Sequence, residues 1–473
     1  MKKVLILIVI TVWVVCCGTP NPNASMDQES IVPEVNLDNL APALEYKTVD
    51  KQEMLDLLLK YLAVNSGSID TNDGYPMTPG QEEMAQLLKS DAEALGAQVI
   101  LSEWNYVYVD IPSNLDHEVP VLGLSCHLDY NTETYGANIT WDQLPEIHPI
   151  VLDYKGGDIE QAPGRFIRVD SVEGKDLPGL VGTTIIHTDG STVLGGDCKN
   201  GCAIVMSLLK TIMQDGVKHG RIQSVIAPNE DIGAAALKID SQYFNPDILF
   251  DVDGGGGNEI MASNFTARGL NVEFLGHDAY PGEAKSQKLG DAYAASCEYT
   301  ASIPLNYRPE RTEGFEGYIH PYEAKEEKVE DADGNQQKKY TVKSRIRFFN
   351  QEEGELFDRI IKESLQKVAE DHPNVSVQVV FDDIQYENVA LTMNPASYSV
   401  LGRAAARTGQ EIKFTSVRAG TTAAMFAAKG LSAGMCLFSG QHNDHTPKEY
   451  TCLEEMMDAY TLLLYAVDEV SKL

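Results

Sequence analysis

Short apolar runs that end in polar residues are the feature that most constrains the fold of this chain. Such runs cover residues 119–125, 182–186, 222–227 and 248–252, and helical segments such as 203–213 separate some of them. Strands that alternate with helices predict an α/β layer built on a largely parallel sheet. In such sheets, functional residues gather beyond the carboxyl ends of the strands. The polar residues that follow these runs are therefore the first candidates for a functional site.

Changes in composition and pattern divide the chain into several parts. At 473 residues it is too long for a single hydrophobic core, and its 43% hydrophobic content is sufficient for folded domains. A Pro- and Asn-containing stretch predicts a flexible tether before the folded part. The predicted parts are a lipoprotein signal peptide (1–17), the tether (18–44), a catalytic domain (45–265 and 383–473) and an inserted α+β domain (266–382).

The N-terminal segment predicts export. Lys2 and Lys3 precede an apolar run over residues 4–15, which is too short to span a bilayer but has the length of a signal-peptide core. The run ends at Cys16 and Cys17, which resemble a bacterial lipoprotein processing site, with Cys17 as the preferred lipidated residue. We therefore expect an exported lipoprotein in the periplasm or at the cell surface, anchored to the membrane only by lipid. An ordinary cleaved leader is the alternative.

The formal net charge of −33 restricts the class of partner. A surface this acidic repels nucleic acid and anionic lipid, so we expect neither as a ligand. The charge fits a protein that binds cations. It is also typical of a protein whose charged surface serves only to keep it soluble. The cysteines beyond the N-terminal segment form no CxxC pair, which argues against a cysteine-ligated zinc site and against a disulfide framework.

Two clusters carry metal-binding residue types at the ends of predicted elements. His127 and Asp129 close an apolar run, and residues two apart on a strand share a face. One could bind a metal while the other orients the imidazole, or the two could form a surface pair. Asp197 follows Gly195 and Gly196 at the start of a predicted helix. Its carboxylate could bridge two ions, or it could cap the helix.

Two further clusters follow predicted strands. Glu230 and Asp231 come just after the run 222–227. Because adjacent carboxylates repel, a metal ion explains the pair, with one carboxylate as ligand and the other as base; a loop of solvated acids is the alternative. Asp253 ends the run 248–252 and precedes a glycine run. That run lacks the Lys-Ser/Thr and the glycine spacing of phosphate-binding loops, which excludes such a loop.

The combination of these clusters is more informative than any one of them. Imidazole and carboxylate ligands without thiolates suit a hydrolytic zinc pair. The C-terminal segment 441–450 adds the imidazoles of His442 and His445. The carboxylate pair at residues 230–231 supplies a base, so the sequence predicts a metal-dependent hydrolase.

Three further motifs identify a family. They are Y-K-G-G-D-I at residues 154–159, T-D-G followed by L-G within 188–195, and T-E-G-F-E-G at 312–317. With the clusters above, the chain resembles the peptidase T (tripeptide aminopeptidase) family of dinuclear zinc exopeptidases, which is related to aminoacylases and glutamate carboxypeptidases. The resemblance runs from Glu53 to Leu473. It implies a zinc-exopeptidase α/β domain with a mostly parallel central sheet and an inserted lid domain of the dimerisation type.

The resemblance also implies a role for each matching residue. Asp129 would clamp the first metal-site histidine, and Glu230 would be the general base. His442 has no counterpart and is expected at the surface. The implied cofactors are two divalent ions, expected to be zinc, and their implied ligands are His127, Asp197, Asp231, Asp253 and His445.

Several positions depart from the family pattern. Asp231 stands where the family has a glutamate ligand, and Cys198 and Thr422 stand where it has aspartates. Tyr280 replaces a lid histidine that helps to stabilise the oxyanion, and a phenol can donate a hydrogen bond at that place with a different reach. Arg418 matches an arginine that binds the substrate carboxylate, for which a guanidinium is well suited.

These residues lead to an expected function. We expect a metallo-aminopeptidase that removes the N-terminal residue from short, tripeptide-like peptides, with water activated between two metal ions and Glu230 as general base. A related hydrolase of N-acyl amino acids or dipeptides is one alternative, and a non-catalytic peptide-binding lipoprotein is another. The expected partners are short peptides, and the chain is expected to be a monomer or a homodimer.

Overall fold

The computed structural model describes residues 33, 35–45, 47–69, 77–136, 138–214, 216–331 and 334–473. The predicted signal peptide (1–17) and most of the predicted tether lie outside these residues. The helices of the described part are α1 (Lys51–Leu62), α2 (Pro79–Ala94), α3 (Gly196–Ile212), α4 (Ala292–Ser302), α5 (Gln351–Asp371), α6 (Val389–Thr392), α7 (Ala396–Thr408), α8 (Thr422–Ala428) and α9 (Leu453–Val470). Its strands are β1 (Gln98–Leu101), β2 (Val107–Ile111), β3 (Leu122–His127), β4 (Ile150–Asp153), β5 (Ile159–Ala162), β6 (Arg165–Ile167), β7 (Thr184–His187), β8 (Ile222–Ala227), β9 (Ile248–Gly255), β10 (Glu259–Asn264), β11 (Thr266–His277), β12 (Tyr318–Glu330), β13 (Gln336–Phe348), β14 (Val375–Tyr386), β15 (Lys413–Val417), β16 (Gly434–His442) and β17 (Tyr450–Cys452).

The main sheet has the strand order β1-β2-β8-β3-β9-β16-β17-β7-β4, with β10 and β15 paired beside β16. Its central neighbours β8, β3, β9 and β16 run parallel. The strands on both sides of them pair antiparallel. The predicted α/β class is confirmed, but the sheet is mixed and not mostly parallel. The reason is local, because β1 and β2, like β16 and β17, are joined by short connections that permit only antiparallel pairing.

The helices form where caps and apolar stripes coincide. Helix α1 begins with a capping box, in which the Asp50 side chain accepts a hydrogen bond from the Glu53 N–H group at 2.9 Å. Its buried residues Met54, Leu58 and Leu62 recur at helical spacing and face the main core. The predicted periodicity therefore corresponds to a helix that packs on the sheet.

Helix α3 lies at the centre of the catalytic part and is buried along most of its length. It packs against strands β3, β9 and β16 and against helices α1 and α9. A helix that is surrounded by protein in this way is largely apolar, as the sequence from Ala203 to Leu209 is, and the exposed Lys210 marks its solvent side. The packing holds the first turn of α3, which contains Asp197, beside the end of strand β3.

A second sheet carries the order β12-β13-β11-β14 and is antiparallel throughout. Helices α4 and α5 pack on it and close a separate core. The fold therefore has the inserted lid that the resemblance implies, while the exact domain boundaries stay a prediction. The largest fully buried side chains of this core are Phe274, Tyr299 and Phe357. None of the helices in the described part has the length and apolar character that a bilayer crossing requires.

Residue 33 and residues 35–44 are the described part of the predicted tether, and this stretch contacts helices that pack on the main sheet. The Arg403 guanidinium donates to the carbonyl oxygens of Asn36 at 2.8 Å and Asp38 at 3.1 Å. The Leu44 N–H group donates to the Tyr465 hydroxyl at 3.3 Å. This stretch therefore runs along α7 and α9.

We predict that Gly201→Ala destabilises the fold. A Cβ atom at this position of α3 would lie 2.0 Å from the carbonyl oxygen of Val252 and 2.6 Å from the sulfur of Cys198. Because backbone has to move, the free energy of unfolding should fall by about 1–3 kcal/mol, as expected for overpacking. Denaturant unfolding measures this. The matched control is Gly179→Ala, whose Cβ meets open space; equal midpoints for the two variants would contradict the close packing of α3.

Candidate metal centre

Five separate segments bring the predicted site residues together at the carboxyl edge of the central strands. His127 ends strand β3, Asp197 lies in the first turn of α3, and the acidic pair 230–231 lies in the loop after β8. Strand β9 and the loop after β16 complete the group. The residues are, in that order, His127, Asp197, Glu230 with Asp231, Asp253 and His445.

The first half of the site surrounds the His127 imidazole, which is 1% exposed. Its Nε2 atom lies 2.9 Å from Asp197 Oδ1 and 3.4 Å from Asp253 Oδ1. Glu230 Oε2 lies farther from the same nitrogen, at 3.9 Å. His127, Asp197 and Asp253 are therefore direct neighbours, and Glu230 stands beside them.

The second half of the site surrounds His445. Its Nε2 atom lies 3.0 Å from Asp197 Oδ2 and 2.9 Å from Asp231 Oδ1. Asp197 thus turns one carboxylate oxygen toward each histidine. This is the arrangement that a carboxylate needs in order to bridge two cations.

Burial raises the pKa values of two acids in the site. Burial, followed by the charge of Asp197, raises the pKa of Asp231 to about 7. Burial also raises the pKa of Asp253 well above its ordinary value. Hydrogen bonds to Asp197 and Asp231 raise the pKa of His445 to about 11. So many buried carboxylates require nearby positive charge, because an ionised carboxylate is costly to bury alone.

Atoms without hydrogen bonds test whether the site fits a cation. Among the described residues, Asp231 Oδ2 and Asp253 Oδ1 are buried and accept no hydrogen bond. Ligand atoms of Asp197, Asp231 and His445 lie within 4.8 Å of one another, as do those of His127 and Asp253 with Cys198. Unsatisfied carboxylate oxygens beside imidazoles are the donor set that a divalent ion such as zinc accepts. The residues therefore fit a pair of divalent cations.

Cys198 lies near this donor set, which the sequence did not predict. Its sulfur donates a hydrogen bond to the Val252 carbonyl oxygen at 3.0 Å. Burial, followed by the charge of Asp253, raises the pKa of the thiol. The sulfur is thus held against the backbone of β9, and the histidines and carboxylates remain the proposed ligands.

Asp129 holds two parts of the site at once. It is fully buried, and its Oδ1 atom lies 3.4 Å from His127 Nδ1. The same oxygen accepts from the Glu230 N–H group at 3.1 Å, and Oδ2 accepts from the Asp231 N–H group at 3.2 Å. The carboxylate therefore orients the imidazole and also the turn that carries the acidic pair.

Two contacts of the site were missed by sequence reasoning. The Thr422 hydroxyl donates to Glu230 Oε1. The buried Glu449 carboxylate accepts N–H groups from Leu194 at 2.7 Å, Gly195 at 2.8 Å and Asp197 at 3.1 Å. The only sequence signal for Glu449 was its place four residues after His445.

Arg418 and Tyr280, the predicted substrate-binding residues, are not part of the cluster. The Arg418 guanidinium donates to the carbonyl oxygens of Gly314 at 3.0 Å and Glu316 at 2.5 Å, and to the Thr312 hydroxyl at 2.8 Å. Tyr280 is 71% exposed and lies in the lid. The structure places Arg418 against the T-E-G-F-E-G motif, and the substrate roles of both residues stay predictions.

The expectation that His442 lies at the surface is wrong. Its imidazole is 8% exposed and stacks on the Tyr450 ring with 4.6 Å between ring centroids. Nε2 lies 2.8 Å from Glu455, and Nδ1 lies 3.4 Å from Asp176. The glycine run after Asp253 leaves space for the His442 imidazole, because a Cβ atom at Gly256 would lie 2.0 Å from that ring.

Comparison with known proteins shows the family of the chain and agrees with the fold. The model of peptidase family M20/M25/M40 matches residues 193–469. Peptidase T of Listeria innocua is 31% identical over 418 residues, which is 88% of this chain and 97% of the relative. The crystal structure of aminopeptidase PepT from Bacillus cereus has a TM-score of 0.64 at 18% identity and covers 89% of this chain and 99% of that one. A tripeptidase structure from Staphylococcus aureus has a TM-score of 0.61 at 17% identity, and the match covers 90% of this chain and 100% of that one.

The prediction of an exported, membrane-anchored lipoprotein is wrong. The relatives that the chain matches over 95–99% of their own length are peptidase T, which is not a membrane-anchored lipoprotein. The signal rested on a short apolar run and two cysteines, Cys16 and Cys17, which lie outside the described residues.

We predict that divalent metal stabilises the protein through Asp197. With zinc, manganese or cobalt at a hundred times the dissociation constant, each occupied site should raise the free energy of unfolding by about 2.7 kcal/mol. Metal analysis should find about two ions per chain, since Asp197 faces both histidines. Asp197→Ala should abolish the thermal shift, and the exposed Asp189→Ala should keep it. Dialysed protein that retains no metal and melts unchanged when zinc is supplied would contradict the site.

Proposed function

Because the chain belongs to peptidase family M20/M25/M40, we propose that it is a metallo-aminopeptidase that removes the N-terminal residue from short, tripeptide-like peptides. The observation that carries this proposal is the position of Glu230, a carboxylate beside the histidine–aspartate cluster but outside its closest contacts. A carboxylate so placed can exchange a proton with a reacting group while its neighbours hold cations.

The proposed cofactors are two zinc ions. The first would be held by His127, Asp197 and Asp253, and the second by Asp197, Asp231 and His445. Imidazole and carboxylate ligands that leave a position open are the ligand type of catalytic zinc. When bound, the ions would lower the pKa of water and polarise the scissile carbonyl group.

Glu230 has the central catalytic role in this proposal. It would accept a proton from the attacking water and return it to the leaving amine. Burial raises the pKa of Glu230, with the charge of His127 and the Thr422 hydrogen bond acting in the opposite direction. Asp129 acts through Glu230 and His127 by fixing the backbone of the first and the imidazole of the second.

The substrate would be held at its reacting carbonyl group and at its C-terminus. Tyr280 would donate a hydrogen bond to the oxyanion from the lid. Arg418 would bind the C-terminal carboxylate of the peptide, which limits the length of a substrate whose first peptide bond lies at the cluster. To do so its guanidinium has to share or exchange its contacts with residues 312–316.

We predict that Glu230→Gln separates proton transfer from metal binding. The amide cannot accept the proton of water, so kcat on a tripeptide should fall by about two to four orders of magnitude. Metal content should stay near that of the parent, since Glu230 is not a proposed ligand. The matched variant Asp231→Asn should instead lose metal.

The outcomes of that comparison distinguish the assignments. Equal metal loss in Glu230→Gln and Asp231→Asn would show that the two roles are misassigned. Full turnover in Glu230→Gln would exclude the mechanism. A panel of tripeptides, dipeptides and N-acyl amino acids, each with zinc, manganese or cobalt, identifies the substrate class. Cleavage of N-acyl amino acids alone would replace the aminopeptidase proposal with an acylase.

We predict that Arg418→Met weakens binding of peptides with a free C-terminus. Loss of a hydrogen bond to a charged group costs about 1.5–3 kcal/mol, so KM for trialanine should rise roughly ten- to a hundredfold. KM for trialanine amide should change little, because that peptide has no carboxylate. Arg359→Met, on the exposed face of α5, is the control. Equal KM changes for acid and amide would place the carboxylate site elsewhere.

A further inference from the structure

Gln81 is a buried polar residue that the proposed mechanism does not use. It lies in the first turn of α2 and is 0% exposed. The sequence Thr78-Pro79-Gly80-Gln81 predicts a capping box, in which Gln81 turns back to the start of its own helix. Only half of that prediction holds, since Thr78 accepts from the Gln81 N–H group at 3.3 Å. The Gln81 side chain points instead toward the loop after β8.

Gln81 makes two hydrogen bonds of opposite direction with Asn229. Its Nε2 atom donates to Asn229 Oδ1 at 2.8 Å. Its Oε1 atom accepts from the Asn229 N–H group at 3.2 Å. One amide therefore fixes both the side chain and the backbone of Asn229, which is itself fully buried. The partner explains why the box does not form, because a buried amide satisfies its donor and its acceptor here together.

Asn229 begins the turn on which the acidic pair stands. Its φ of 57° lies in the left-handed region, which asparagine tolerates better than most residues. The turn is closed by hydrogen bonds from Gly233 N–H to the Glu230 carbonyl oxygen at 2.6 Å and from Ala234 N–H to the Asn229 carbonyl oxygen at 2.9 Å. The direction of the chain at Asn229 therefore sets where the next two side chains point.

Two supports hold this turn from different parts of the chain. Asp129 accepts the N–H groups of Glu230 and Asp231. Gln81 holds the residue before them. Only a side-chain amide of this length offers a donor and an acceptor in one plane; glutamate lacks the donor, and methionine has a similar length but offers neither.

We infer that Gln81 is a positioning residue, which fixes the turn 229–231 and so aims Glu230 at the reacting water. This inference rests on the proposed function for its kinetic consequence. A misplaced base slows the chemical step and leaves substrate binding largely intact. Because a displacement of about 1 Å can cost on the order of a hundredfold in rate, the loss should appear in kcat and not in KM.

The kinetic test compares Gln81→Glu and Gln81→Met with the same two substitutions at Gln223. Gln223 is also buried, lies at the opposite end of β8, and accepts from the Asn245 N–H group at 3.0 Å. With trialanine as substrate, kcat should fall roughly ten- to a hundredfold in both Gln81 variants, with KM within about threefold of the parent. The Gln223 variants should keep the parent kcat even where their melting temperatures fall equally.

A second test does not depend on turnover. Hydrogen–deuterium exchange of the metal-free protein should show faster exchange for the peptide that contains the Glu230 and Asp231 amides in Gln81→Met. The same peptide should exchange at the parent rate in Gln223→Met. In addition, the losses of kcat in Gln81→Met and Asn229→Ala should be less than additive in the double variant, because both remove the hydrogen bond between the two side chains.

The outcomes separate this inference from the proposed function. If the parent cleaves peptides while Gln81→Met keeps both the parent kcat and the parent exchange rate, the inference is overturned. Strictly additive losses in the double variant would also overturn it, since they would show independent effects. If the parent cleaves no peptide with any metal, the proposed function fails. Hydrogen exchange then still decides whether Gln81 holds the turn.

Discussion

The concentration of buried negative charge around Asp197 is the constraint on which the rest of the site depends. Asp231 contributes a carboxylate beside His445 and Asp253 contributes one beside His127, and burial raises the pKa of both acids. Such a group is stable only with compensating positive charge. The pKa values of His127 and His445 are raised, so their imidazoles can offset part of this charge, and divalent ions would offset it more fully. The acidic surface of the chain, with a net charge of −33, further favours the approach of cations.

Buried carboxylates and one amide hold the backbone that presents these groups. Glu449 binds the N–H groups that lead into Asp197, and Asp129 binds those of the acidic pair. Gln81 adds a contact to Asn229. In each case a side chain from one segment accepts hydrogen bonds from the backbone N–H groups of a tight turn in another segment. These bonds restrict the backbone and so fix the positions of the proposed ligands. This agrees with the general need for a supported frame around a metal site.

The sequence predicted the components of the site but not their supports. Apolar runs that end in His127 and Asp253 indicated the strand ends, and the family resemblance assigned the ligands. The supports join residues far apart, such as Gln81 and Asn229, which are 148 positions apart, and Glu449 and Gly195, which are 254 apart. Local patterns contain no information on such pairs, as the unformed capping box shows. The antiparallel edges of the sheet were missed for the related reason that strand pairing depends on connections and not on strand composition.

The residues behind the ligands differ from the family pattern in a consistent direction. Cys198 and Thr422, at positions where the resemblance implies aspartates, are hydrogen-bond donors to Val252 and to Glu230. Because both side chains are neutral donors, they add no repulsion to that among the acids of the site. The Thr422 hydroxyl also stabilises the ionised form of Glu230, in opposition to burial. Because a general base accepts a proton only when it is ionised, the Thr422 hydroxyl favours the form of Glu230 that the proposed reaction uses.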